Sequence, residues 1–234
     1  RASLPFAKAL ATGFPSEEAA PDARTVFTGT PVRRELWKHS QRPEARAALG
    51  LDPDGLVVLV FGGSQGARSL NEDLPPLLAE ACVKGPRFQV LHLAGPAGSA
   101  EVQARYASLG APKAAVLGYL DDMALAYAAS DLAVCRSGAA TLAELAAQAL
   151  PALLIPFPSA SNDHQAANAL RLERAGAARI LREPLSGPRV LQALDALLRP
   201  ASLAEMSRAY GKTGFPPPAE CEKRLADLVE GAAQ

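Results

Sequence analysis

Short apolar runs, each about as long as a β-strand, recur along the chain. They are Leu56–Phe61, Phe88–Leu93, Ala114–Leu117, Leu132–Cys135, Ala152–Ile155 and Ala178–Leu181. The stretches between them are rich in alanine and carry apolar residues at helical spacing, as at Leu142, Leu145 and Ala149. This alternation predicts an α/β fold with a Rossmann-like, doubly wound parallel sheet. Ligands of such sheets bind at the carboxyl ends of the strands, so the loops at that edge are the candidates for function.

The two ends of the chain depart from this alternation. Residues 1–31 hold several prolines and no strand–helix unit, so we predict that they are the tail of a preceding N-terminal domain and a linker. Residues 32–212 are predicted to form the Rossmann-like domain. The run Pro216–Pro218 cannot continue a helix, which sets residues 213–234 apart as a C-terminal unit with a helix over Ala219–Val229. With no initiator Met, the chain is interpreted as a fragment.

Composition narrows the possible functions. The 234 residues are 49% hydrophobic, enough for a sizeable core, and 24 basic residues balance 24 acidic ones. No overall field therefore draws the chain to nucleic acid or to an anionic membrane. The three cysteines lack CxxC spacing, which favours a reduced, cytoplasmic compartment over a disulfide framework or a zinc site. No apolar run approaches the roughly 20 residues of a spanning helix.

Two glycine-containing loops follow predicted strands. Gly62–Gly66 comes directly after the first strand, and its glycines allow backbone amides to approach a ligand or an anion. It has neither the GxGxxG spacing of a dinucleotide site nor the Lys-Ser/Thr of a P-loop, and a tight packing turn is the alternative. Ser137-Gly138 opens a helix in the same way after another strand. There Glu144 could accept the hydroxyls of a ribose, although a solvated helix glutamate and an N-capping Ser137 are equally compatible with the pattern.

A third loop carries the polar run "SASNDHQ". Ser161 or Asn162 caps a helix whose first turn contains Asp163, His164 and Gln165. The Asn162–Gln165 spacing has the form of a capping box, yet these side chains also suit a hydroxyl-rich sugar. His164 is a possible proton carrier, but the sequence shows no carboxylate partner for it.

Two acidic pairs are interpreted as structural. Asp52 and Asp54 match a metal–nucleotide pattern but precede the first strand, at the amino end of the sheet, where they suit a turn. Asp121 and Asp122 begin a helix, where acidic residues favour its positive end. We therefore predict neither a metal site nor a cofactor.

Taken together, the motifs resemble those of the MurG family of inverting glycosyltransferases. They are "GTPVRREL", "FGGSQGARSLN", "GYLDDMALAYAASDLAVCRSGAATLAELAAQALPALLIPFP" and "DHQAANA", and they cover most of the span from Gly29 to Gly176. The resemblance implies the C-terminal, donor-binding domain of a two-domain GT-B glycosyltransferase. The family transfers N-acetylglucosamine from UDP-GlcNAc to undecaprenyl-diphosphate-linked muramyl pentapeptide, converting lipid I to lipid II. This reaction belongs to peptidoglycan synthesis, and hence to cell-wall biogenesis, cell shape and cell division, at the inner face of the cell membrane.

The resemblance also implies roles for individual residues in binding the nucleotide. Arg33 and Ser64 approach the diphosphate. Tyr119 packs beside the uracil, and the backbone of Leu120 pairs with that base. Glu144 binds the ribose diol.

Further roles at the diphosphate and the sugar follow from the same resemblance. The residues that line the diphosphate end are Ala139, Ala140 and Thr141. His164 and Gln165 face the donor, with Gln165 touching the sugar hydroxyls, and Asn168 completes the HQxxN pattern. Arg136 belongs to the same motifs without a specific role.

The family's acceptor-binding N-terminal domain has no counterpart in these motifs, and the catalytic base is expected to lie there. We therefore expect the chain alone to bind UDP-GlcNAc without transferring the sugar. Two alternatives stay open: a donor-binding subunit of another lipid glycosyltransferase, and a GT-B-fold UDP-GlcNAc epimerase. An epimerase needs acid and base residues within the donor domain, for which His164 is the one candidate.

Overall fold

The structure is a computed structural model that describes residues 7–15, 23–37, 41–158 and 164–233, the side chains of His164 and Ala233 excepted. In chain order the strands and helices are β1 (Leu10–Thr12), β2 (Thr25–Phe27), α1 (Arg42–Ala48), β3 (Leu56–Phe61), α2 (Arg68–Glu72), α3 (Leu74–Lys84), β4 (Phe88–Leu93), α4 (Ser99–Leu109), β5 (Ala114–Leu117), α5 (Met123–Ala129), β6 (Leu132–Cys135), α6 (Ala139–Gln148), β7 (Ala152–Leu154), α7 (His164–Ala175), β8 (Ala178–Ile180), α8 (Gly187–Leu197), α9 (Pro200–Ala209) and α10 (Pro218–Ala233).

The six predicted strands form one parallel sheet in the order β5-β4-β3-β6-β7-β8. Four match their predicted bounds, while β7 and β8 each end one residue early, at Leu154 and Ile180. Within this sheet the chain begins at the centre with β3 and continues through β4 to the edge strand β5. It then returns to β6 beside β3 and continues through β7 to the other edge strand, β8. This is the doubly wound order with a reversal between β3 and β6, and the predicted fold class is confirmed. The loops after β3 and β6 are therefore neighbours at the carboxyl edge.

The core lies on both faces of the sheet, which explains why the strands read as continuous apolar runs. In β3, Val57 and Leu59 join a cluster with residues of α5, α6 and α7 on one face. Val58 and Val60 join a second cluster with residues of α3, α4 and α8 on the other. Both layers hold the central strands rigidly under the loops that follow them.

The strands β1 and β2 meet the helix α10 outside this sheet. β1 and β2 pair in parallel as a separate two-stranded sheet. α10 runs from Pro218 to Ala233, longer at both ends than predicted, with a proline at its start, where the missing N–H costs no helical hydrogen bond. Lys8 Nζ donates to the carbonyl oxygen of Ala232 at 2.9 Å, and Arg224 Nη1 donates to that of Phe27 at 3.3 Å. The C-terminal helix, predicted as a separate element, is thus attached to the first strands. Within the described ranges, no helix combines the length and apolarity needed to cross a bilayer.

Candidate functional site

The loop after β3 depends on its glycines. A Cβ on Gly66, where φ is +76°, would lie 2.2 Å from the carbonyl oxygen of Ala94. One on Gly62 would lie 2.3 Å from the Cβ of Ala67. Both spacings are far inside van der Waals contact, so the loop is pressed against the end of β4. The helix that follows, α2, has five residues and begins only at Arg68, so this loop offers fewer free helix amides than the sequence suggested.

A cavity of about 240 Å³ opens beside this loop, at the reversal between β3 and β6. Seven residues predicted for the site line it: Arg33, Ser64, Tyr119, Leu120, Ala140, Thr141 and Glu144. Apolar side chains, among them Phe61, Leu93 and Met123, complete its walls. The structure thus brings together residues from four separate segments of the sequence. We call this space the smaller cavity.

Glu144 is held in place within the smaller cavity. Its Oε2 accepts a hydrogen bond of 2.6 Å from the hydroxyl of Tyr127, which is 2% exposed. Burial, and then the nearby Glu144 charge, raise the pKa of Tyr127 well above its usual value, so the hydroxyl remains a donor. A carboxylate fixed by one donor still has free lone pairs for a ligand's hydroxyls.

Arg33 supplies a cation to the same cavity. Its Nη1 donates to the carbonyl oxygen of Asp121 at 3.1 Å, which ties the segment before α1 to the loop after β5. Tyr119, on that loop, is 57% exposed and presents its ring to the cavity. The cavity therefore combines a cation, an anchored carboxylate and an open aromatic ring.

The start of α6 lies between β6 and this cavity. Gly138 is the N-cap, with extended φ and ψ of −64° and 149°. The N-capping alternative for Ser137 is wrong, because its Oγ instead donates to the carbonyl oxygen of Gln165 at 2.8 Å. This bond joins the start of α6 to the start of α7. Ala139, the first residue of α6, lines neither cavity described here.

A larger cavity of about 800 Å³ adjoins the first, since Phe61, Gly63 and Thr141 line both. Its walls include Arg136 and Gln165 of the predicted set. Gln165 Oε1 accepts from the backbone N–H of Phe157 at 3.0 Å. Asn168 is half-buried on α7 and lines neither cavity.

Two predictions for the third loop lie beyond what the structure describes. Ser161, Asn162 and Asp163, with the predicted capping box, fall outside the described residues. The described part of α7 begins at His164, and the side chain of His164 is also outside the described residues. The proton-carrier interpretation of His164 stays a prediction.

Arg136 is 9% exposed and is already bound by its neighbours. Its Nη1 donates to the carbonyl oxygens of Ile155 and Pro156 at 3.1 and 3.2 Å. Its Nη2 donates to Ser69 Oγ at 2.9 Å and lies 3.0 Å from Glu183 Oε1. Ser69 Oγ in turn donates to Glu183. The guanidinium thus joins the loops after β6, β7 and β8 to α2.

Several residues that line the larger cavity were absent from the sequence-based set, and three of them contact Arg136. These three are Ser69, Phe157 and Glu183. Phe157 and Glu183 each come shortly after the carboxyl end of a strand, and Ser69 lies in the first helix after β3. These positions are the signal that could have identified them. Their contacts with Arg136 join distant parts of the chain, which no local pattern reveals.

One residue of each acidic pair has a structural contact. Asp122 caps α5, its Oδ1 accepting from the N–H of Ala124 at 3.0 Å. Asp52 lies before β3, at the opposite edge of the sheet from the cavities, and pairs with Lys113 at 2.6 Å. In the part of the chain that the structure describes, no three His, Cys, Asp or Glu side chains are placed to hold a metal ion.

A family model and the sequences of similar proteins both match this chain to glycosyltransferases. The family described as "Glycosyltransferase family 28 C-terminal domain" matches residues 57–220. The chain is 41% identical, over 95% of its length, to the UDP-N-acetylglucosamine--N-acetylmuramyl-(pentapeptide) pyrophosphoryl-undecaprenol N-acetylglucosamine transferase of Halorhodospira halophila. It is 43% identical, over 89% of its length, to the protein of the same name from Acidothermus cellulolyticus. It covers 60% and 57% of these two relatives, so it spans about three fifths of their length.

Solved structures agree with this result. The crystal structure of Acinetobacter baumannii MurG superposes with a TM-score of 0.78 at 31% identity, over 98% of this chain and 62% of that one. WaaG, a glycosyltransferase involved in lipopolysaccharide biosynthesis, superposes with a TM-score of 0.62 over 92% of this chain and 59% of its own, at 16% identity. At that identity the second likeness supports the fold alone.

Proposed function

The chain belongs to the glycosyltransferase family 28 C-terminal domain family, and from this premise we propose that it is the UDP-GlcNAc-binding half of a MurG-type transferase. The whole enzyme would transfer N-acetylglucosamine to the lipid-linked muramyl pentapeptide of peptidoglycan synthesis. The observation that carries the proposal is the smaller cavity, in which Tyr127 holds Glu144 beside the start of α6. Similarity to enzymes named for this reaction supports it.

The two cavities divide the donor between them. In the proposal the uracil lies beside Tyr119 and Leu120, and the ribose hydroxyls donate to Glu144. The diphosphate lies between Arg33, Ser64 and the free amides at the start of α6, where the helix end favours negative charge. The sugar then extends into the larger cavity toward Gln165.

Transfer in this proposal is a direct displacement with inversion. The acceptor oxygen attacks the anomeric carbon, its proton passes to a base, and the bond from that carbon to the diphosphate oxygen breaks as UDP leaves. Charge grows on UDP in the transition state, where Arg33 and fixed backbone amides would stabilise it. We propose that the acceptor site and the base are supplied from outside this donor half, at the inner face of the cell membrane.

Glu144→Ala tests the site by isothermal titration calorimetry. Losing charge-assisted hydrogen bonds to the ribose is expected to cost about 1.5–3 kcal/mol, which raises the Kd for UDP about 10- to 150-fold. Tyr127→Phe keeps the carboxylate and removes only its anchor, so a smaller loss is expected. Glu101→Ala, which changes an exposed carboxylate of α4 that lines neither cavity, is the matched control and should bind as the parent does. If Glu144→Ala binds UDP with the affinity of the parent, the proposal that the nucleotide binds in this cavity is wrong.

A further inference from the structure

The two cavities each contain one exposed aromatic ring. Tyr119 lines the smaller cavity, and Phe157 lines the larger one with 45% of its surface exposed. An exposed phenyl ring forgoes part of the stabilisation that its burial would contribute. Such a ring in the wall of a cavity is a typical contact surface for a ligand.

Phe157 is held more firmly than an exposed side chain usually is. Its backbone N–H donates to Gln165 Oε1 at 3.0 Å. The Cζ of Arg136 lies 5.3 Å from the centre of its ring, within the range of a cation–π contact. Arg136 is itself fixed by two carbonyl oxygens, Ser69 and Glu183. The ring is therefore positioned before any ligand arrives, which lowers the entropic cost of binding.

The chemistry of the ring selects the part of the ligand it meets. A phenyl ring offers a flat apolar face and no hydrogen-bonding group, so it does not suit a phosphate. A pyranose has a face of C–H groups that suits the ring's negatively polarised surface, and its hydroxyls lie at its rim. Gln165, bonded to the backbone of Phe157, provides an amide next to that rim. In the described part of the chain its Nε2 donates to no other residue.

We propose that Phe157 is a sugar-binding residue, on whose ring the C–H face of the donor pyranose stacks, and that Arg136 acts as the positioning residue that holds this ring. The proposal rests on the proposed function, because it takes the sugar of the donor to extend into the larger cavity. It also gives a role to Arg136, which the resemblance placed among the substrate-binding residues without a specific one: its guanidinium supports the cavity wall.

Calorimetry on Phe157→Ala, Phe157→Leu and Phe157→Trp tests this, with UDP and UDP-GlcNAc as separate ligands. Phe157→Ala is expected to raise the Kd for UDP-GlcNAc about 3- to 10-fold and to leave the Kd for UDP within about twofold of the parent. Phe157→Leu keeps most of the volume without a flat face, so it should weaken UDP-GlcNAc nearly as much. Phe157→Trp should restore it. Tyr119→Ala, the matched control in the smaller cavity, should weaken both ligands together.

The outcomes separate the two proposals. If the parent binds UDP-GlcNAc and Phe157→Ala binds it equally well, the stacking proposal is overturned while the proposed function stands. Equal weakening of UDP and UDP-GlcNAc by Phe157→Ala also overturns it, because the ring would then act on the nucleotide. A parent that binds neither ligand overturns the proposed function and the stacking role with it. Circular dichroism of each variant checks folding, and Phe157→Leu carries the test if Phe157→Ala fails to fold.

Discussion

Two buried arginines sit at opposite edges of the same sheet and are bound in nearly the same way. At the amino edge, Arg46 donates to the carbonyl oxygens of Ala129 at 3.0 Å and Pro53 at 2.6 Å, and pairs with Asp131 at 2.9 Å. At the carboxyl edge, Arg136 donates to two carbonyl oxygens and pairs with Glu183 at 3.0 Å. Each therefore combines a carboxylate with backbone acceptors.

The difference lies in what surrounds each pair. Asp131 also accepts from the backbone N–H of Val57 at 2.8 Å, so the pair at the amino edge closes the start of β3 against the start of β6. Arg136 and Glu183 instead line the larger cavity, beside the exposed ring of Phe157. Similar ion pairs can thus hold a fold together or shape a binding site, and only the neighbouring residues distinguish the two roles.

Arg46→Met removes the ion pair at the amino edge, and we expect it to lower the stability more than any other variant described below. Asp131 keeps Arg42 and the N–H of Val57 as donors, but the buried carbonyl groups of Ala129 and Pro53 lose theirs, which is expected to lower the free energy of unfolding by about 2–5 kcal/mol. Urea denaturation measures this. Arg42→Met is the matched control, since Arg42 pairs with the same Asp131 from a side chain that is 51% exposed, and it should cost less than about 1 kcal/mol. A comparable cost for the two variants would show that burial does not set the energy of this pair.

His92 contrasts with the two buried ion pairs, because it is a buried polar group that stays neutral. It lies under the glycine loop, 3.2 Å from both Asn71 Oδ1 and Tyr106 Oη, and burial lowers its pKa from 6.5 to about 4. Between pH 6.5 and about pH 4, His92 is therefore protonated in the unfolded chain but stays neutral in the folded protein. The free energy of unfolding should fall by about 3 kcal/mol between pH 6.5 and pH 4 from this residue alone.

Urea denaturation of the parent and of His92→Gln across this pH range isolates that contribution. Carboxylates titrate in both proteins, so the informative quantity is the difference between the two. The variant should lose less stability than the parent as the pH falls from 6.5 to 5. Parallel curves would mean that His92 is protonated in the folded protein.

Arg136→Met should separate the carboxyl-edge pair from the amino-edge pair. Water in the larger cavity can reach Glu183, so the loss of stability is expected to be about 1–3 kcal/mol, less than for Arg46→Met. The Kd for UDP-GlcNAc should rise more than that for UDP, because Phe157 loses its support. Arg199→Met, which removes an exposed cation that is paired with Asp195 and lines neither cavity, should change neither quantity measurably. A larger loss of UDP affinity in Arg136→Met would instead place its guanidinium at the diphosphate.

The fold was largely readable from the sequence because the strands are buried on both faces. Nearly every position of such a strand is apolar, although β4 also buries Gln89 and His92, so a strand such as β3 or β6 ends at the last apolar residue of its run, Phe61 or Cys135. The short edge strand β8 offers fewer such positions, and its end was placed one residue late. Strand order could not be read at all, since it depends on which runs pair in space.

In the candidate site, too, local motifs predicted some residues and missed the contacts between distant segments. Glu144 and Thr141 share one helix, and the motif that contains them was enough to predict that both lie at the same cavity, while their roles in binding stay predictions. Glu183 and Ser69 face Arg136 from segments more than a hundred residues apart, and local patterns do not encode such contacts. The anchoring of Glu144 by Tyr127 was likewise invisible, because Tyr127 reads as an ordinary core residue of α5.

The contact between α10 and the strands β1 and β2 couples the unfolding of these elements. Arg224 lies over the ring of Phe27, and Arg34 pairs with Glu222, so neither end can open without releasing contacts of the other. In hydrogen-exchange terms, the amides of β1, β2 and α10 should behave as one cooperative unit, distinct from the amides of the central strands. A protease that cleaves within α10 would therefore also loosen β1 and β2, nearly two hundred residues away in sequence.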